Sequence, residues 1–403
     1  MSGSPVVVLD IGATKVLCLV GESGAGNQVR VLGVGASPCA GLRRSVVIDM
    51  ARVVDSIRSA VAEAERSAGL QIAGAYLGMA GHDSRARASR STVAIAGVSK
   101  PIDEDDVARA MATAEQAAPD DGEQIMHRIV QSYAVDGQPV QNPLWLYGNK
   151  LEVETLSISA STQACTTLQR AADSAGIEIA GFILETVAAA TAVVSLDERE
   201  MGVGILDIGA GTSDLAVFRG PLRHIAEIPF GGEDITRDLS VVLSMSPRSA
   251  QQLKHEHGCV CCPPEEGDQA VSFQTTAGRN STLTRSQLSE IIEARQHEIF
   301  QFVQQELETH DCTQMLAAGL IVTGGGALLR NLPELGEEVL GMPVRVGLPQ
   351  NAIAADSMND PHYATGIGLL QFALEEHMES TVAVSANGSG RLVDRISRLL
   401  SFF

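Results

Sequence analysis

Two kinds of apolar patterning alternate along this chain, and the order in which they follow one another occurs twice. Short apolar runs at Val6–Asp10, Val16–Gly21 and Val29–Ser37, divided by a Gly-led loop and a Gly/Ser/Asn turn, predict three consecutive strands. Helical spacing takes over at about Met50–Gly69. There Val53, Val54, Ile57, Val61 and Ala64 fall on one side and Arg52, Asp55, Arg58, Glu63 and Glu65 on the other, with Gly69 placed as a C-cap. A strand at Gly74–Met79 completes a β-β-β-α-β order. The order returns in strands Gly202–Asp207, Asp214–Arg219 and Leu222–Ile228, followed by a helix from about Gly232.

Between the copies, Gly81–Ser159 breaks the pattern with a polar, Arg- and Ser-rich stretch, β-like segments at Thr92–Ala96 and Leu151–Ser157, and a helix at Asp103–Ala118. The acidic run after Pro101 falls in the first turn of that helix, where the macrodipole favours carboxylates, so it reads as a cap and not as a catalytic cluster. A second interruption, Gly232–Ile299, carries a helix near Pro247–His257, a Pro/Glu/Gly loop at Pro263–Gly267 and the start of a helix at Thr284–Leu307. The expected organisation is a first core lobe from 1–80 and 160–200 with an insert at 81–159. A second core lobe from 201–231 and 300–378 carries an insert at 232–299, and a linker at 379–390 leads to a terminal helix at 391–403.

Each copy of the repeat places chemistry at the same point: Leu9-Asp-Ile-Gly-Ala-Thr14-Lys15 and Leu206-Asp-Ile-Gly-Ala-Gly-Thr212-Ser-Asp214. A strand that ends in Asp and turns through small residues and Thr into the next strand makes a hairpin whose tip offers backbone N–H groups and a hydroxyl to an anion. Carboxylates repel phosphate, so Asp10 and Asp207 suit Mg²⁺ held through its water ligands, while Lys15 suits a β- or γ-phosphate. One Asp-Ile-Gly alone is usually a strand-ending turn; two at the same place in a repeated unit are read as one nucleotide triphosphate site between two halves. A dinucleotide-binding fingerprint fails at Gly209-Ala-Gly211, because the chain continues as a strand where that motif needs a helix, and no GxxxxGK[ST] occurs. A third loop, Leu320-Ile-Val-Thr-Gly324-Gly325-Gly326, runs from strand to helix and permits flat contact with a base or ribose.

Composition narrows the fold and the partners. With 45% hydrophobic residues but only 3% aromatic, the cores are built from Val, Ile, Leu and Ala, which favours α/β layers. A net charge of −20 with no sizeable basic patch in the body argues against nucleic acid. The start MSGSPVVVLDIG has no basic n-region and reads as the first strand of a cytoplasmic protein. Seven cysteines are odd in number and scattered, which excludes a disulfide framework. The run His255-Glu-His257-Gly-Cys259-Val-Cys261-Cys262 has side chains suited to Zn²⁺, but no second ligand couple follows across a loop, so the default is loop or core cysteines.

The end of the chain differs from the rest. After the last core-like helix, Tyr363–Glu376, a small and polar stretch precedes a segment in which Leu392, Ile396, Leu399, Leu400 and Phe403 fall on one helical face and Arg391, Arg395 and Arg398 on the other. That pattern suits the interface of an anionic membrane; it also serves a helix docked on its own core or on a partner. It is too short to span a bilayer, and three arginines worth ~1 kcal/mol each leave a single copy reversibly bound.

Taken together, the two hairpins, Leu184-Glu185-Thr186 before an alanine-rich helix, Gly231-Gly232-Glu-Asp, Ala250-Gln251-Gln252-Leu253-Lys254, the triple Gly and Ala364-Thr-Gly-Ile-Gly368 resemble the actin, DnaK-chaperone and sugar-kinase superfold. Within it they look most like the bacterial FtsA cell-division family. The resemblance implies an α/β, actin-like two-lobed fold of duplicated ribonuclease-H-like cores, with an inserted subdomain in each half. It implies ATP and Mg²⁺ as ligands: Asp10 and Asp207 on the metal, and Gly12, Ala13, Thr14, Lys15, Gly209, Ala210, Gly211 and Thr212 around the phosphates. Gly324, Gly325 and Gly326 would face the adenosine, and Gln251 and Lys254 the ribose. Asp207 and Glu185 would be the catalytic pair of a slow ATPase at most, Glu185 ordering the attacking water. Thr186 stands where relatives usually have Pro and Gln251 where Glu is common, which bears on hydrolysis and ribose affinity. The implied partners are the tubulin-like FtsZ, further copies in a filament, other division proteins and the inner face of the cell membrane. A pilus-assembly scaffold and a small-molecule kinase of the same superfold are the alternatives.

Overall fold

The computed structural model describes residues 4–24, 28–81, 84–95, 100–115, 119–353 and 358–385. Two sheets carry the repeat. In the first, Val29–Pro38, Lys15–Ser23 and Val6–Ile11 are antiparallel neighbours, and Gly74–Met79 and Glu178–Leu184 continue the sheet in parallel. In the second, Leu222–Ile228, Ser213–Phe218 and Val203–Ile208 are antiparallel neighbours, continued in parallel by Leu320–Thr323 and Val344–Val346. Order and direction match strand for strand. The short strand Ala352–Ile353 of the second half adds to the edge of the first sheet beside Val29, tying the halves together.

The helix predicted from Met50 forms over Met50–Ala68, capped by the Asp49 side chain at its start and by left-handed Gly69 (φ 69°) at its end. Its buried side is the predicted one, Val53, Val54, Ile57, Val61 and Ala64, packed on the first sheet. Between the sheets lie two further helices, Glu185–Val193 and Ala364–Ser385. They approach closely because their facing residues are small: a Cβ on Gly368 would sit 1.8 Å from the Ala188 carbonyl oxygen. One continuous core then joins Leu17 and Leu19 of the first sheet to Ile205, Ala216 and Phe218 of the second through Val187, Ala188, Ile367 and Leu370. Burial of this apolar surface on both helices is what holds the lobes to one another.

The inserts hold elements that the apolar pattern did not reveal. The Arg- and Ser-rich stretch is a strand, Arg85–Ala94, paired in register with Lys150–Ser161; a strand at Glu123–Val135 lies on the other side, and the helix Glu104–Glu115 packs on this sheet. Its polar positions are matched by charge, Arg85 with Glu123, Arg87 with Asp120 and Arg90 with Glu152 and Glu154. In the second insert the helices Gly232–Val242 and Pro247–His257 are followed by a short helical turn, Pro264–Gly267, where a loop was expected, and by a hairpin, Ala270–Gln274 with Asn280–Thr284.

Two boundaries move. A single helix runs Arg285–Thr309, so the division expected at 299/300 falls inside it; Thr284 and Gln287 form its capping box, and Leu288, Ile292, Ile299 and Val303 are buried on both sides of that point. The last helix continues to Ser385, into the stretch read as linker from 379, because extending a formed helix costs far less than starting one and no Gly or Pro intervenes. The rest of that linker and the amphipathic segment 391–403 lie outside the described residues.

Candidate functional site

The two hairpins turn at the same place by the same internal bond. Gly12 N–H donates to the Lys15 carbonyl at 2.9 Å, and Gly209 N–H donates to the Thr212 carbonyl at 2.9 Å. Gly12-Ala13-Thr14-Lys15 and Gly209-Ala210-Gly211-Thr212 are thus equivalent four-residue tips, with Asp10 and Asp207 equivalent at the strand ends. Both tips open into one cleft of about 970 Å³. Every residue expected at the nucleotide lines it: Asp10 and the first tip, Glu185, Asp207 and the second tip, Gln251, Lys254, and Gly324, Gly325 and Gly326.

Carboxylates gather on the floor. Asp10, Glu185, Asp207 and Asp214 all line the cleft and perturb one another. Burial pushes Asp10 up to about 6, with Lys15 opposing and Asp207 adding to the rise. Glu185 is pushed well above the usual carboxylate range by burial, then by Asp10, Asp214 and Asp207. Asp214 is raised in the same way, by burial, Glu227 and Asp207, and its Oδ1 is buried without a hydrogen-bond partner among the described residues. Asp207 is raised by burial and eased by the Thr365 hydroxyl, which donates to Oδ2 at 2.6 Å, and by Lys15. Like charges so placed disfavour joint ionisation unless a cation joins them. The donor set, carboxylate oxygens with an unsatisfied one among them, fits a hard divalent ion such as Mg²⁺.

Glycine is required where the third loop meets this floor. Gly324 has φ 79°, a left-handed backbone, and a Cβ there would fall 2.1 Å from Asp207 Oδ1. The loop is held beneath by Thr323, whose hydroxyl donates to the Gly347 and Pro361 carbonyls at 3.1 and 3.2 Å. After the glycines the chain makes a 3-10 turn, Gly325–Leu328, before the helix Leu332–Leu340.

Positive groups stand around the acidic floor. Lys15 Nζ donates to the His362 carbonyl at 3.1 Å and lies over the Tyr363 ring, and burial lowers its pKa against the pull of Asp10, Asp207 and Asp360. Lys254 Nζ donates to the Gly232 carbonyl at 2.6 Å, and burial lowers it to about 8. Arg237 and Arg248 line the same wall. Arg44, from the first lobe, reaches Asp234 at the start of the helix Gly232–Val242 of the second, 3.1 Å away, as a bridge across the cleft.

Sequence reasoning passed over Asp214, which stands within the second motif but was given no role, and Thr365, which lies inside the noted Ala364–Gly368 segment. Arg44, Arg237 and Arg248 carried no signal, since isolated arginines have no pattern. The run from His255 to Cys262 is dispersed: His255 lines the cleft, Cys259 is buried with its carbonyl accepting from Ser289, and Cys261 donates its amide to Glu293. It does not bring three ligand atoms together among the described residues.

Comparison with known proteins bears on this arrangement directly. A model of the family described as cell division protein FtsA matches residues 204–368, and a model of the SHS2 domain inserted in FtsA matches 81–159. The chain is 33% identical over 392 residues to the cell division protein FtsA of Pseudomonas aeruginosa, covering 96% of this chain and 93% of that protein. It is 31% identical to FtsA of Escherichia coli K12, covering 98% and 97%, and 35% identical to FtsA of Bacillus subtilis, covering 91% and 83%. Among solved structures it resembles a PilM–PilN type IV pilus biogenesis complex (TM-score 0.62, 17% identity, 92% and 98% covered). It also resembles MreB5 of Spiroplasma citri bound to ADP (TM-score 0.60, 16% identity, 95% and 99% covered). The fold is actin-like, and the chain belongs to the FtsA family of bacterial cell division proteins.

Proposed function

We propose that this chain is an ATP-binding, filament-forming division protein that holds FtsZ to the inner face of the cell membrane. The observation that carries the nucleotide part is the convergence of both hairpin tips, the triple glycine and four carboxylates on one cleft. MreB5, a protein of the same fold, was solved with ADP. Asp10 and Asp207, with Asp214 beside them, would hold Mg²⁺, and the ion when bound offsets charge on the β- and γ-phosphates. The tip amides and Lys15 bind the phosphates, the glycines at 324–326 leave room for adenosine, and Gln251 and Lys254 flank the ribose. Glu185 orders water. Burial, with Asp10, Asp214 and Asp207 beside it, raises its pKa well above the usual carboxylate range.

Delivery to the membrane falls to Arg391–Phe403, on the strength of its apolar and arginine faces. One copy binds weakly, so stable attachment comes from many copies in a polymer acting together. Among the described residues no helix is long and apolar enough to cross a membrane. Sedimentation with anionic liposomes tests this part: the full chain should pellet and a chain ending at Gly390 should stay in solution, whereas equal pelleting refutes the anchor. Asp207→Ala tests the other part, since it should weaken Mg-ATP binding about a hundredfold, and retained affinity refutes the paired-loop site.

A further inference from the structure

A second convergence of ligand-type side chains lies away from the cleft. His224 stands on Leu222–Ile228, the outer strand of the second sheet. Glu306 and His310 stand at the C-terminal end of the helix Arg285–Thr309, which packs against that strand. Their spacing of four residues puts both on one helical face. Glu306 Oε2 lies 3.5 Å from His224 Nε2 and 3.3 Å from His310 Nδ1, and one ligand atom of each residue lies within 4.8 Å of the others. The two imidazoles are stacked, with centroids 4.0 Å apart and planes 27° apart.

The two separations from Glu306 are those of a coordination shell. Tetrahedral Zn²⁺ with bonds of about 2.0–2.1 Å sets neighbouring ligand atoms about 3.3–3.4 Å apart. The hydrogen-bonding alternative is a poor one: His224 Nε2 is shielded from water and meets Glu306 Oε2 only at 3.5 Å, long for a hydrogen bond. His310 Nδ1 also lies 3.1 Å from the Glu306 carbonyl, a contact that ligation gives up, but that carbonyl keeps the His310 backbone N–H at 3.2 Å.

We propose that His224, Glu306 and His310 form a Zn²⁺ site that fastens the end of the long insert helix to the edge strand of the second sheet, with the fourth position open to water. Two imidazoles and one carboxylate suit a borderline ion; Mg²⁺ and Ca²⁺ prefer shells of oxygen alone. None of the three residues lines the nucleotide cleft, so the site stands or falls independently of it.

The test is titration of the full chain with Zn²⁺ against a chromophoric chelator, and with Co²⁺ by visible absorption. Wild type, His310→Ala, His224→Ala and Cys261→Ser/Cys262→Ser are compared. His310 is exposed, so its replacement leaves the fold intact, and unchanged ATP binding by that variant verifies this. Since even outer partners of metal ligands are worth about 10–100-fold, loss of a direct ligand should weaken Zn²⁺ at least ~100-fold. The expected result is one equivalent bound by wild type, with the d–d bands of four-coordinate Co²⁺ and no thiolate charge-transfer band. Both signals are lost in the histidine variants and kept in the cysteine variant. Absence of binding in wild type, full binding by His310→Ala, or loss in the cysteine variant alone would overturn the proposal.

Discussion

The hairpins at Val6–Ser23 and Val203–Phe218 share a backbone and differ in charge. Opposite Asp10 across the first hairpin stands Leu17; opposite Asp207 across the second stands Asp214. At the end of the tip the first hairpin has Lys15 where the second has Thr212. The first therefore carries one acid with a built-in cation, and the second carries two acids with none. Burial raises both, but Asp10, opposed by Lys15, rises to about 6, while Asp214, with Glu227 and Asp207 adding to burial, is driven well above the usual range. The two halves keep one hairpin geometry and differ in electrostatics, with the acids gathered on the second.

The comparison can be broken most severely at the aspartates. Asp207→Ala should weaken Mg-ATP by about a hundredfold, the scale of losing a charged partner in a desolvated site, and Asp10→Ala by only about tenfold. Calorimetric titration reads both, and a reversal of that order would contradict the asymmetry. Next comes Gly324→Ala, which puts a methyl against Asp207 Oδ1 and an L side chain at φ 79°. It should cost ~2–3 kcal/mol of stability and disturb the second hairpin while sparing the first, read as a lowered Tm together with lost affinity.

Acidity separates stability from binding. Asp10 keeps its proton to about 6 in the folded, metal-free protein, against 3.8 for the ordinary group. Its contribution to stability is full below pH 3.8 and lost as pH rises through about 6, a change of ~1–3 kcal/mol. Mg-ATP binding runs the other way, falling as pH drops below 6 and Asp10 takes up its proton. Thermal melts and titrations across this window should show opposite slopes, and Asp10→Asn should flatten its share of both. The smallest effect belongs to Thr365→Val, which removes one hydrogen bond to Asp207 and should cost ~1 kcal/mol, about fivefold in affinity.

How much of this was legible beforehand follows from the type of pattern each part carries. The repeated strands and the helix at Met50–Ala68 have one apolar face each, so periodicity exposed them, and the doubled Asp-Ile-Gly exposed the two tips that open into one cleft. Of Arg85–Ala94 only the end near Thr92 was read as β-like, because polar positions such as Arg90 find Glu152 and Glu154 across the sheet only in the folded chain; the hairpin of Ala270–Gln274 with Asn280–Thr284 was not read. Asp214 was visible as a letter, yet its role depends on burial beside Glu227 and Asp207, which no local pattern encodes. Thr365 and Arg44 act over 158 and 190 residues of separation, far beyond any motif window.

The central claim is that two hairpins 197 residues apart, from Asp10 to Asp207, form one binding site. Mg-ATP titration of wild type, Asp10→Ala, Asp207→Ala and the double variant tests it as a cycle. Partners in one site are coupled, so the double variant should bind no worse than Asp207→Ala to within about 0.5 kcal/mol. An Asp10→Ala variant that binds as wild type does would show that the two loops do not share a ligand.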